Sequence, residues 1–392
     1  MKIIEIDTCV SKKVLSNNIY NDRLLIDFSA VHLEHKKNCY FYCEPEKIKL
    51  ELFNNLILKG VDARCIQNMV NKLRNDTVYK SFFVLIKEIK IISKKELIFH
   101  CLGEKAYYLL KDMLQSPLIS FMNGVVTTDN ELQSKIYGNT IRLKFLNNSD
   151  ERFECLKRNK IDYTWPLNGN VNELNKFSEI KEKYDFINEC GRNFIYFYSS
   201  NSFLVSFVAK AREKIFEQLT DYVNDNQLDA TYSFIYDENR PKQDLYECTD
   251  INNWSKKYTI AFSDYYPNKE IALLISNVLK DYNINCRIVN CGSLDSYLNK
   301  RKQYDGFIGI IAPIFFSEWS IPYQLIAGAY DKSSAFDALI NYNKDKAKAE
   351  FSNVKNMVPL FRTRNIYFKK KSANELYFDN YGRIRILSNG DL

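Results

Sequence analysis

The segment from Lys257 to Val289 constrains the fold more than any other part of the 392-residue chain. Its pattern is a strand over Lys257–Ser263, a helix over Lys269–Tyr282 with apolar residues at helical intervals, and a strand over Asn285–Val289. A helix between two such strands predicts that the strands are parallel and joined by a right-handed crossover. A further buried strand is predicted over Tyr304–Ile311. The segment therefore predicts an α/β fold.

Strands and helices alternate along the rest of the chain without repeats. Alternating apolar and polar residues predict a hairpin or meander over Asp22–Lys49. Asp62 precedes a helical pattern, and its carboxylate is placed to cap the first turn of that helix. A strand pair is predicted over Val84–His100, a long helix over Phe203–Val223 and strands over Pro359–Leu387.

The chain is too long for one compact hydrophobic core, which predicts two lobes. Its composition, 46% hydrophobic and 26% charged, is that of a folded protein. Residues 237–256 are rich in Asp, Asn, Lys and Glu and lose apolar periodicity, so we expect a linker there.

The net charge of +7 is spread along the chain, since acidic and basic residues are interspersed. The clearest basic run contains Arg362, Arg364 and the three lysines Lys369, Lys370 and Lys371. Such a run is typical of a solvated face, and a nucleic-acid surface needs a longer stripe or a recognisable motif. We therefore expect no direct contact with nucleic acid.

The location of the protein is predicted from its N-terminus and its cysteines. Residues 1–14 include acidic side chains and lack the apolar core of a signal peptide, and no stretch approaches the roughly 20 apolar residues of a membrane span. We expect a cytoplasmic protein without membrane insertion. Its ten cysteines are then expected to be free and mostly buried thiols.

No side-chain motif for catalysis or metal binding is found in the sequence. The patterns GxxxxGK[ST], GxGxxG, GxSxG and HExxH are all absent. The histidines are His32, His35 and His100, and Cys39 and Cys43 with His35 lack the paired spacing of zinc sites. We expect no enzyme activity, no metal and no cofactor, although a cysteine nucleophile on a two-lobed scaffold is chemically feasible.

Four regions of the sequence carry a resemblance to a known family: CYFYC with LILKGVDARCIQNMVNKL, FECLKRNKIDYTWPL, YLNKRKQYDGFIGI, and MVPLFRTRNIYF with FDNYGRIRI. In this order they resemble the oligopeptide- and dipeptide-binding class of the bacterial ABC-transporter solute-binding proteins. The second region matches the family's helix, short polar turn and Ile-Asp unit, with Ile161 and Asp162 in place. No single region is a specific motif, and the shared order carries the resemblance.

The resemblance implies a two-lobed, periplasmic-binding-protein-like fold of type II, in which the lobes close on an extended peptide or a small ligand. The chain crosses between the lobes more than once in that family. Applied to this sequence, the first lobe is discontinuous and holds residues 1–236 and 357–392. Residues 237–256 are the linker, and the second lobe holds residues 257–356.

The sequence departs from the family in lacking the usual secretion signal and much of the first segment. A protein kept in the cytosol cannot capture solute for an importer, so transport is put in doubt. The resemblance leaves three roles open: a cytoplasmic binder of a small amine-bearing ligand or short peptide, a ligand-sensing component of a transcription regulator that acts with a partner protein, and a binding scaffold recruited as a biosynthetic enzyme.

The candidate ligand-binding residues follow the strand DGFIGII, in the segment APIFFSEWSIPYQLI. Ligands of open α/β sheets bind at the carboxyl ends of parallel strands. In the peptide binders this loop holds an aspartate that pairs with the ligand's α-ammonium group, followed by an aromatic residue, two residues and a proline. Glu318, Trp319 and Pro322 reproduce that spacing, with Glu in place of Asp. A solvated carboxylate at Glu318 and an ordinary core side chain at Trp319 are the alternatives.

Further residues, most of them aromatic, are expected at the rim of the cleft. Phe316 and Ser317 precede Glu318, Tyr265 and Tyr266 follow the strand that begins at Lys257, and Trp165 ends a predicted strand. Aromatic rings next to a carboxylate suit an amine, through cation–π contacts and charge-assisted hydrogen bonds. Aromatic residues at these places also serve as packing.

Overall fold

A computed structural model gives the fold of the chain. It describes residues 3–8, 31–32, 38–58, 60–75, 83–115, 120–121, 126–127, 131–136, 139–146, 149–164, 178–219, 228–234, 257–264, 267–292, 294–313, 319–328, 337–338, 340–341, 343, 346, 356–373, 376–378 and 384–386.

Strands and helices alternate through these residues. The strands are β1 Ile3–Thr8, β2 Val31–His32, β3 Cys39–Glu44, β4 Lys47–Leu52, β5 Ile86–Ile91, β6 Glu96–Cys101, β7 Ser120–Phe121, β8 Val126–Thr127, β9 Glu131–Ile136, β10 Asn139–Phe145, β11 Tyr163–Thr164, β12 Tyr184–Ser199, β13 Leu228–Ala230, β14 Tyr258–Phe262, β15 Cys286–Asn290, β16 Gly306–Ile311, β17 Met357–Lys370, β18 Leu376–Phe378 and β19 Ile384–Ile386. The helices are α1 Asn54–Leu58, α2 Ala63–Asn75, α3 Tyr107–Leu114, α4 Ser149–Lys157, α5 Ser178–Lys183, α6 Ser202–Lys210, α7 Arg212–Glu217, α8 Asn268–Asp281, α9 Leu294–Lys300 and α10 Ser320–Gly328, and Arg301–Gln303 forms a 3-10 turn.

One large mixed sheet organises the described part of the chain. Its strand order is β15-β14-β16-β12-β17-β11-β1-β10-β9-β8, and β13 pairs with β17 at one side. Strand β14 is parallel to both β15 and β16, and α8 connects β14 to β15. The predicted strand–helix–strand unit is therefore confirmed. The predicted inward residues of its helix, Ile271, Leu274, Ile275 and Val278, are fully buried.

Two long strands, β12 and β17, join the halves of this sheet. Residues 184–190 of β12 pair with residues 364–370 of β17, and residues 194–198 pair with residues 357–362. The register shifts between Cys190 and Phe194, opposite Arg362–Arg364. We call residues 190–194 of β12 and residues 362–364 of β17 the junction. The outer strands on one side of it are β14, β15 and β16, and those on the other side are β11, β1 and β10.

The large sheet is covered on both faces near the junction. Neighbouring residues of β12 project to opposite faces, and each face belongs to a different core. Ile195 and Phe197 belong to a core formed with α6 and α8. Phe194 and Tyr196 belong to the core on the other face, which also contains Trp319. We call this second side the Trp319 face.

A separate antiparallel sheet has the order β3-β4-β6-β5. The predicted strand pair within residues 84–100 is confirmed as β5 and β6. The predicted helix cap is confirmed as well, since the Asp62 Oδ1 accepts a 2.9 Å hydrogen bond from the backbone N–H of Cys65. Of the hairpin or meander predicted over Asp22–Lys49, the strand CYFYC is confirmed as β3, whereas its pairing with the strand before it is wrong for the described residues. Strand β3 pairs with β4, which follows it directly, while Val31–His32 pairs with Ser120–Phe121.

The single long helix predicted from Phe203 is two helices. Helix α6 ends at Lys210 and α7 begins at Arg212, with Ala211 between them, and both lie against the large sheet in the core with α8. Asn201 caps α6 by accepting hydrogen bonds from two backbone N–H groups. Among the described helices, none has both the length and the hydropathy that crossing a membrane requires.

The lobe boundaries predicted at residues 236 and 257 stay a prediction, since residues 235–256 lie outside the described ranges. Within these ranges, α6 and the second half of β12 share a hydrophobic core with β14 and α8. The packing thus connects residues on both sides of the predicted linker.

Candidate functional site

Of the seven predicted ligand-binding residues, the structure describes Trp319. The others, Trp165, Tyr265, Tyr266, Phe316, Ser317 and Glu318, lie outside the described residues, so their predicted role stays a prediction.

Trp319 lies where the chain returns from this segment and enters α10. Its side chain is 2% exposed and is part of the core on the Trp319 face. Its carbonyl accepts a 2.8 Å hydrogen bond from the N–H of Tyr323, and Gln324 of α10 donates to the Ala312 carbonyl at 3.0 Å. Helix α10 is thereby attached to the end of β16. The indole serves as core packing, the alternative left open by the sequence, and a ligand contact by Trp319 stays a prediction.

A row of paired residues crosses the sheet at the carboxyl end of β16. Ile311 pairs with Phe194, Phe194 with Arg362, and Arg362 with Asp229 of β13. Paired residues of neighbouring antiparallel strands project to the same face, so all four point to the Trp319 face. Because Ile311 ends β16, this row lies next to the start of the segment that contains Glu318.

Aromatic rings cover the neighbouring part of the Trp319 face. The ring of Phe234 packs against Phe194 and Tyr196, with centroids 5.8 and 5.9 Å apart. Tyr196 lies across Gly309 of β16, where a Cβ atom would come within 2.3 Å of the Tyr196 Cζ. The absence of a side chain at Gly309 is therefore what lets this ring lie flat on the sheet.

Charged groups gather at the junction. Arg364 Nη1 lies 3.0 and 3.2 Å from the two carboxylate oxygens of Asp229, and Arg364 Nε donates to Asn188 Oδ1 at 2.6 Å. The side chains of Arg364 and Asp229 are 28% and 29% exposed. Arg362, two residues before Arg364 and on the same face, is also partly buried. Its Nε atom is buried and has no hydrogen-bond partner among the described residues.

The basic run was predicted to be a solvated face, and that prediction is wrong for most of it. Arg362, Arg364, Lys369 and Lys370 are partly buried because they lie on β17, between other strands of the large sheet. Only Lys371, just beyond the strand, is exposed within the run. The two-residue spacing of Arg362 and Arg364 within a strand is the signal that places both guanidinium groups on one face.

Asp162, one of the residues that carry the family resemblance, has a structural role. Its Oδ2 accepts a 3.0 Å hydrogen bond from the N–H of Glu5, and its Oδ1 lies 3.3 Å from Lys370 Nζ. Asp162 thus ties β1 to β17. The Glu5 carboxylate in turn binds Arg142 at 3.1 Å and Lys144 at 2.8 Å.

Seven cysteines within the described ranges are free thiols: Cys39, Cys43, Cys65, Cys101, Cys155, Cys286 and Cys291. Burial raises the pKa of Cys39, Cys101 and Cys286 to about 12. Such thiols are protonated and unreactive at neutral pH. Within the same ranges no three His, Cys, Asp or Glu side chains are grouped closely enough to hold a metal ion, while His35, discussed with Cys39 and Cys43, lies outside them.

Solved structures share this fold over almost the whole chain. The dipeptide binding protein from Pseudoalteromonas sp. SM9913, in complex with Met-Leu, matches with a TM-score of 0.76 at 10% identity and covers 98% of both chains. NikA from Staphylococcus aureus, in complex with Ni(L-His)2, matches with a TM-score of 0.71 at 14% identity over 99% of both chains. The murein tripeptide binding protein MppA from Escherichia coli matches with a TM-score of 0.70 at 9% identity over 99% of both chains.

No protein-family model matches the sequence, and no curated protein matches it. The structural matches confirm the predicted resemblance at the level of the fold. The chain has the two-lobed α/β, type II fold that is found in solute-binding proteins for peptides. At 9–14% identity this likeness establishes the architecture, and the ligand has to be argued from the residues.

Proposed function

We propose that this protein binds a small amine-bearing molecule or a short peptide in a cleft between its lobes, and that it does so without catalysing a reaction. The observation that supports this most is the shared architecture, since neighbours that match 98–99% of the chain were solved with Met-Leu or are named for peptides. The expected position of the ligand is the carboxyl end of β16, next to the junction.

The chemistry of this place suits an amine. Strand β16 is parallel to β14, so the segment after Ile311 starts at the carboxyl end of parallel strands, where open α/β sheets bind ligands. The segment brings Glu318, which would pair with an ammonium group through a charge-assisted hydrogen bond. The rings of Tyr196, Phe194 and Phe234 are buried in the core on the same face and make the surroundings of this place apolar.

A thermal-shift screen tests the proposal. Purified protein is heated with dipeptides, tripeptides, free amino acids, polyamines and Ni(L-His)2, and a ligand present at a hundredfold excess over its Kd should stabilise the fold by about 2.7 kcal/mol. Glu318→Ala should weaken binding of an amine hit about 10- to 100-fold, because a hydrogen bond to a charged group is lost. Glu88→Ala, at an exposed glutamate of β5, is the control. A flat screen, or equal affinities for the wild type and Glu318→Ala, would contradict the proposal.

We also propose that the protein works in a reducing compartment, the cytoplasm. The described free thiols support this, because an exported protein with ten cysteines would be expected to pair many of them. The test is to lyse the source cells in an alkylating agent and to count modified cysteines by mass spectrometry. Ten alkylated thiols per chain are expected. A pair that is alkylated only after reduction would contradict the proposal.

For a binding protein in the cytoplasm, the role we favour is ligand sensing. In this role a partner protein recognises the ligand-bound state. Pull-down from the source cells with and without a hit from the screen tests it. A partner that is retained in only one of the two states is expected, and a pattern that is the same in both contradicts sensing.

A further inference from the structure

Strand β15 lies at one end of the large sheet. It pairs with β14 on its inner side, in parallel and in continuous register. On its outer side, no strand pairs with it among the residues that the structure describes. The outer side of such an edge strand carries backbone donors and acceptors that can pair with another strand. A further strand can therefore be added to the sheet at this place.

The hydrogen bonds to β14 determine which backbone groups of β15 point outward. The Asn285 carbonyl accepts a hydrogen bond from the Tyr258 N–H, and the Cys291 N–H donates to the Phe262 carbonyl, both at 2.9 Å. The N–H and C=O of one residue point to the same side of a strand, and this side alternates from residue to residue. The odd-numbered residues of the strand thus face β14. The residues that face outward are Cys286, Ile288 and Asn290.

One outward group is already engaged within the protein. The Cys286 carbonyl accepts a 3.1 Å hydrogen bond from Ser276 Oγ of α8, which agrees with its outward direction. The backbone N–H and C=O of Ile288, at the centre of the strand, have no hydrogen-bond partner within the described part of the chain. The side chains of Arg287 and Asn290 are exposed. The edge is thus accessible to a partner strand.

Other edges are built to prevent such pairing, as β5 of the separate sheet shows. It exposes the charged side chains of Lys87, Glu88 and Lys90, and its register against β6 shifts between Ile86 and Glu88. Charged side chains and bulges protect an edge strand from pairing with another chain. Strand β15 contains neither a bulge nor a proline, and Arg287 is its one charged residue. Its edge therefore lacks the protection that β5 has.

We propose that β15 pairs antiparallel with β15 of a second copy of this chain, so that one sheet continues through a symmetric dimer. A two-fold axis beside Ile288 produces this arrangement. Ile288 then exchanges two backbone hydrogen bonds with Ile288 of the second copy, and Cys286 pairs with Asn290. Arg287 lies opposite Val289 of the second copy, at the non-hydrogen-bonded positions, where side chains approach most closely.

The charges of the strand suit pairing with itself. Like charges directly opposite each other destabilise a strand pair. In the proposed register the cation of each strand faces the half-buried Val289, and the two copies of Arg287 are kept apart. Helix α8 lies beside the same edge, where Leu273 is partly buried one turn before Ser276. The two-fold axis places α8 of both copies on one face of the sheet, so Leu273 adds an apolar contact to the strand pair.

The dimer leaves both expected ligand sites open. Because the two copies of β15 run in opposite directions, the carboxyl ends of the parallel strands β14, β15 and β16 lie at opposite edges of the shared sheet. The place where a ligand is expected, at the carboxyl end of β16, is therefore distant from the two-fold axis in each copy. Dimer formation does not depend on the ligand, and it is tested without one.

Sedimentation equilibrium of the purified protein over a range of concentrations is the experiment. The mass should rise with concentration from 46.2 kDa, the mass of one chain, towards twice that value. Val289→Lys places a cation opposite Arg287 twice, by symmetry, and should raise the dimer Kd about 2- to 30-fold. Val289→Glu is the matched variant, which loses the same apolar side chain and forms an ion pair instead. The two Kd values should differ by at least about 4-fold.

A charge exchange tests the register. The double variant Arg287→Glu with Val289→Lys places opposite charges against each other again, and its Kd should return to that of Val289→Glu. A dimer whose Kd is the same in Val289→Lys and Val289→Glu is formed by another surface, and this result overturns the proposal. A mass of one chain at every concentration overturns it as well.

Hydrogen exchange of the wild type decides the question without a variant, even if substitutions at Val289 prevent folding. The outward N–H of Ile288 exchanges quickly in a monomer and is protected in the dimer, so its protection should increase with protein concentration. Fast exchange at every concentration contradicts the pairing. An N–H that is protected equally at every concentration, in a protein with the mass of one chain, means that the protein's own chain covers the edge, and it overturns the dimer.

Discussion

Replacing Gly309 with alanine tests the packing that shapes the Trp319 face. A Cβ atom at this position would lie 2.3 Å from Cζ, 2.6 Å from the hydroxyl oxygen and 2.7 Å from Cε1 of Tyr196. Carbon atoms in contact are normally about 3.5–4.0 Å apart, so the ring must move by more than an ångström. Tyr196 is 7% exposed and packs edge-on against Phe234 and Phe307. The ring therefore cannot move without disturbing its neighbours.

The magnitude follows from this overlap. Inserting a methyl group into a packed core costs about 1–3 kcal/mol of unfolding free energy, and we expect Gly309→Ala to fall in that range. Urea unfolding followed by circular dichroism measures the change by linear extrapolation. Because Tyr196 packs beside the end of β16, where we expect the ligand, the same substitution should also weaken ligand binding.

A double-mutant cycle identifies the cause. Tyr196→Leu removes the ring that a Cβ at residue 309 would meet, so the cost of Gly309→Ala should shrink by at least about 0.5 kcal/mol in that background. Gly60→Ala is the control, since it meets no atom within 4 Å and is strained only by its φ of +79°. Its cost should not depend on Tyr196. A Gly309→Ala variant within about 0.5 kcal/mol of the wild type, or an additive cycle, would refute the reasoning.

Three more predictions concern stability. Asp62→Ala removes the cap of α2 and should cost about 1 kcal/mol by urea unfolding. The hydrogen bond from the Cys65 N–H lowers the pKa of Asp62. The difference in unfolding free energy between the variant and the wild type should therefore vanish as the pH falls through that pKa, and a difference that stays constant would contradict this. Arg364→Met removes the ion pair with Asp229 and should lower the unfolding free energy by about 1–2 kcal/mol, and an unchanged melting temperature would count against it. Burial raises the pKa of the thiols of Cys39, Cys101 and Cys286 from 9.0 to about 12, so the native state holds their protons more tightly than the unfolded state does. The unfolding free energy should therefore decline as the pH rises from about 9 towards 12. An unfolding free energy that stays level or rises over this range would contradict the prediction.

The sequence predicts the strand–helix–strand unit around α8 well because the information is local. The spacing of Ile271, Leu274, Ile275 and Val278 marks one helix face, and a helix between two strands leaves parallel pairing as the simple solution. The cap at Asp62 is local as well. Physical rules that act within a few residues are readable without knowing the rest of the fold.

The pairing of β3 could not be predicted in the same way. Its partner β4 follows after a two-residue turn, Pro45–Glu46, in which Glu46 has a φ of 60°. A turn residue with positive φ is normally Gly or Asn, and here it is a glutamate. The partner of Val31–His32 lies at residues 120–121, and such a distant pairing leaves no local signal.

The site shows the same limit. The sequence points to the segment with Glu318 and Trp319 because a buried strand is predicted before it, and that strand is confirmed as β16. Arg362 was assigned to a solvated face, because a run of basic residues gives no hint that its strand lies between others. Nor does the sequence show that Asp229 binds Arg364 in preference to Arg362, since that choice depends on Asn188, more than 170 residues away from Arg364.

The most direct test of the proposed function is a crystal structure of the protein with the tightest ligand from the screen. We predict ligand density between the lobes, at the carboxyl end of β16, with an amine at Glu318. Ligand density on the outer surface of either lobe, with the end of β16 unoccupied, would contradict binding in the cleft.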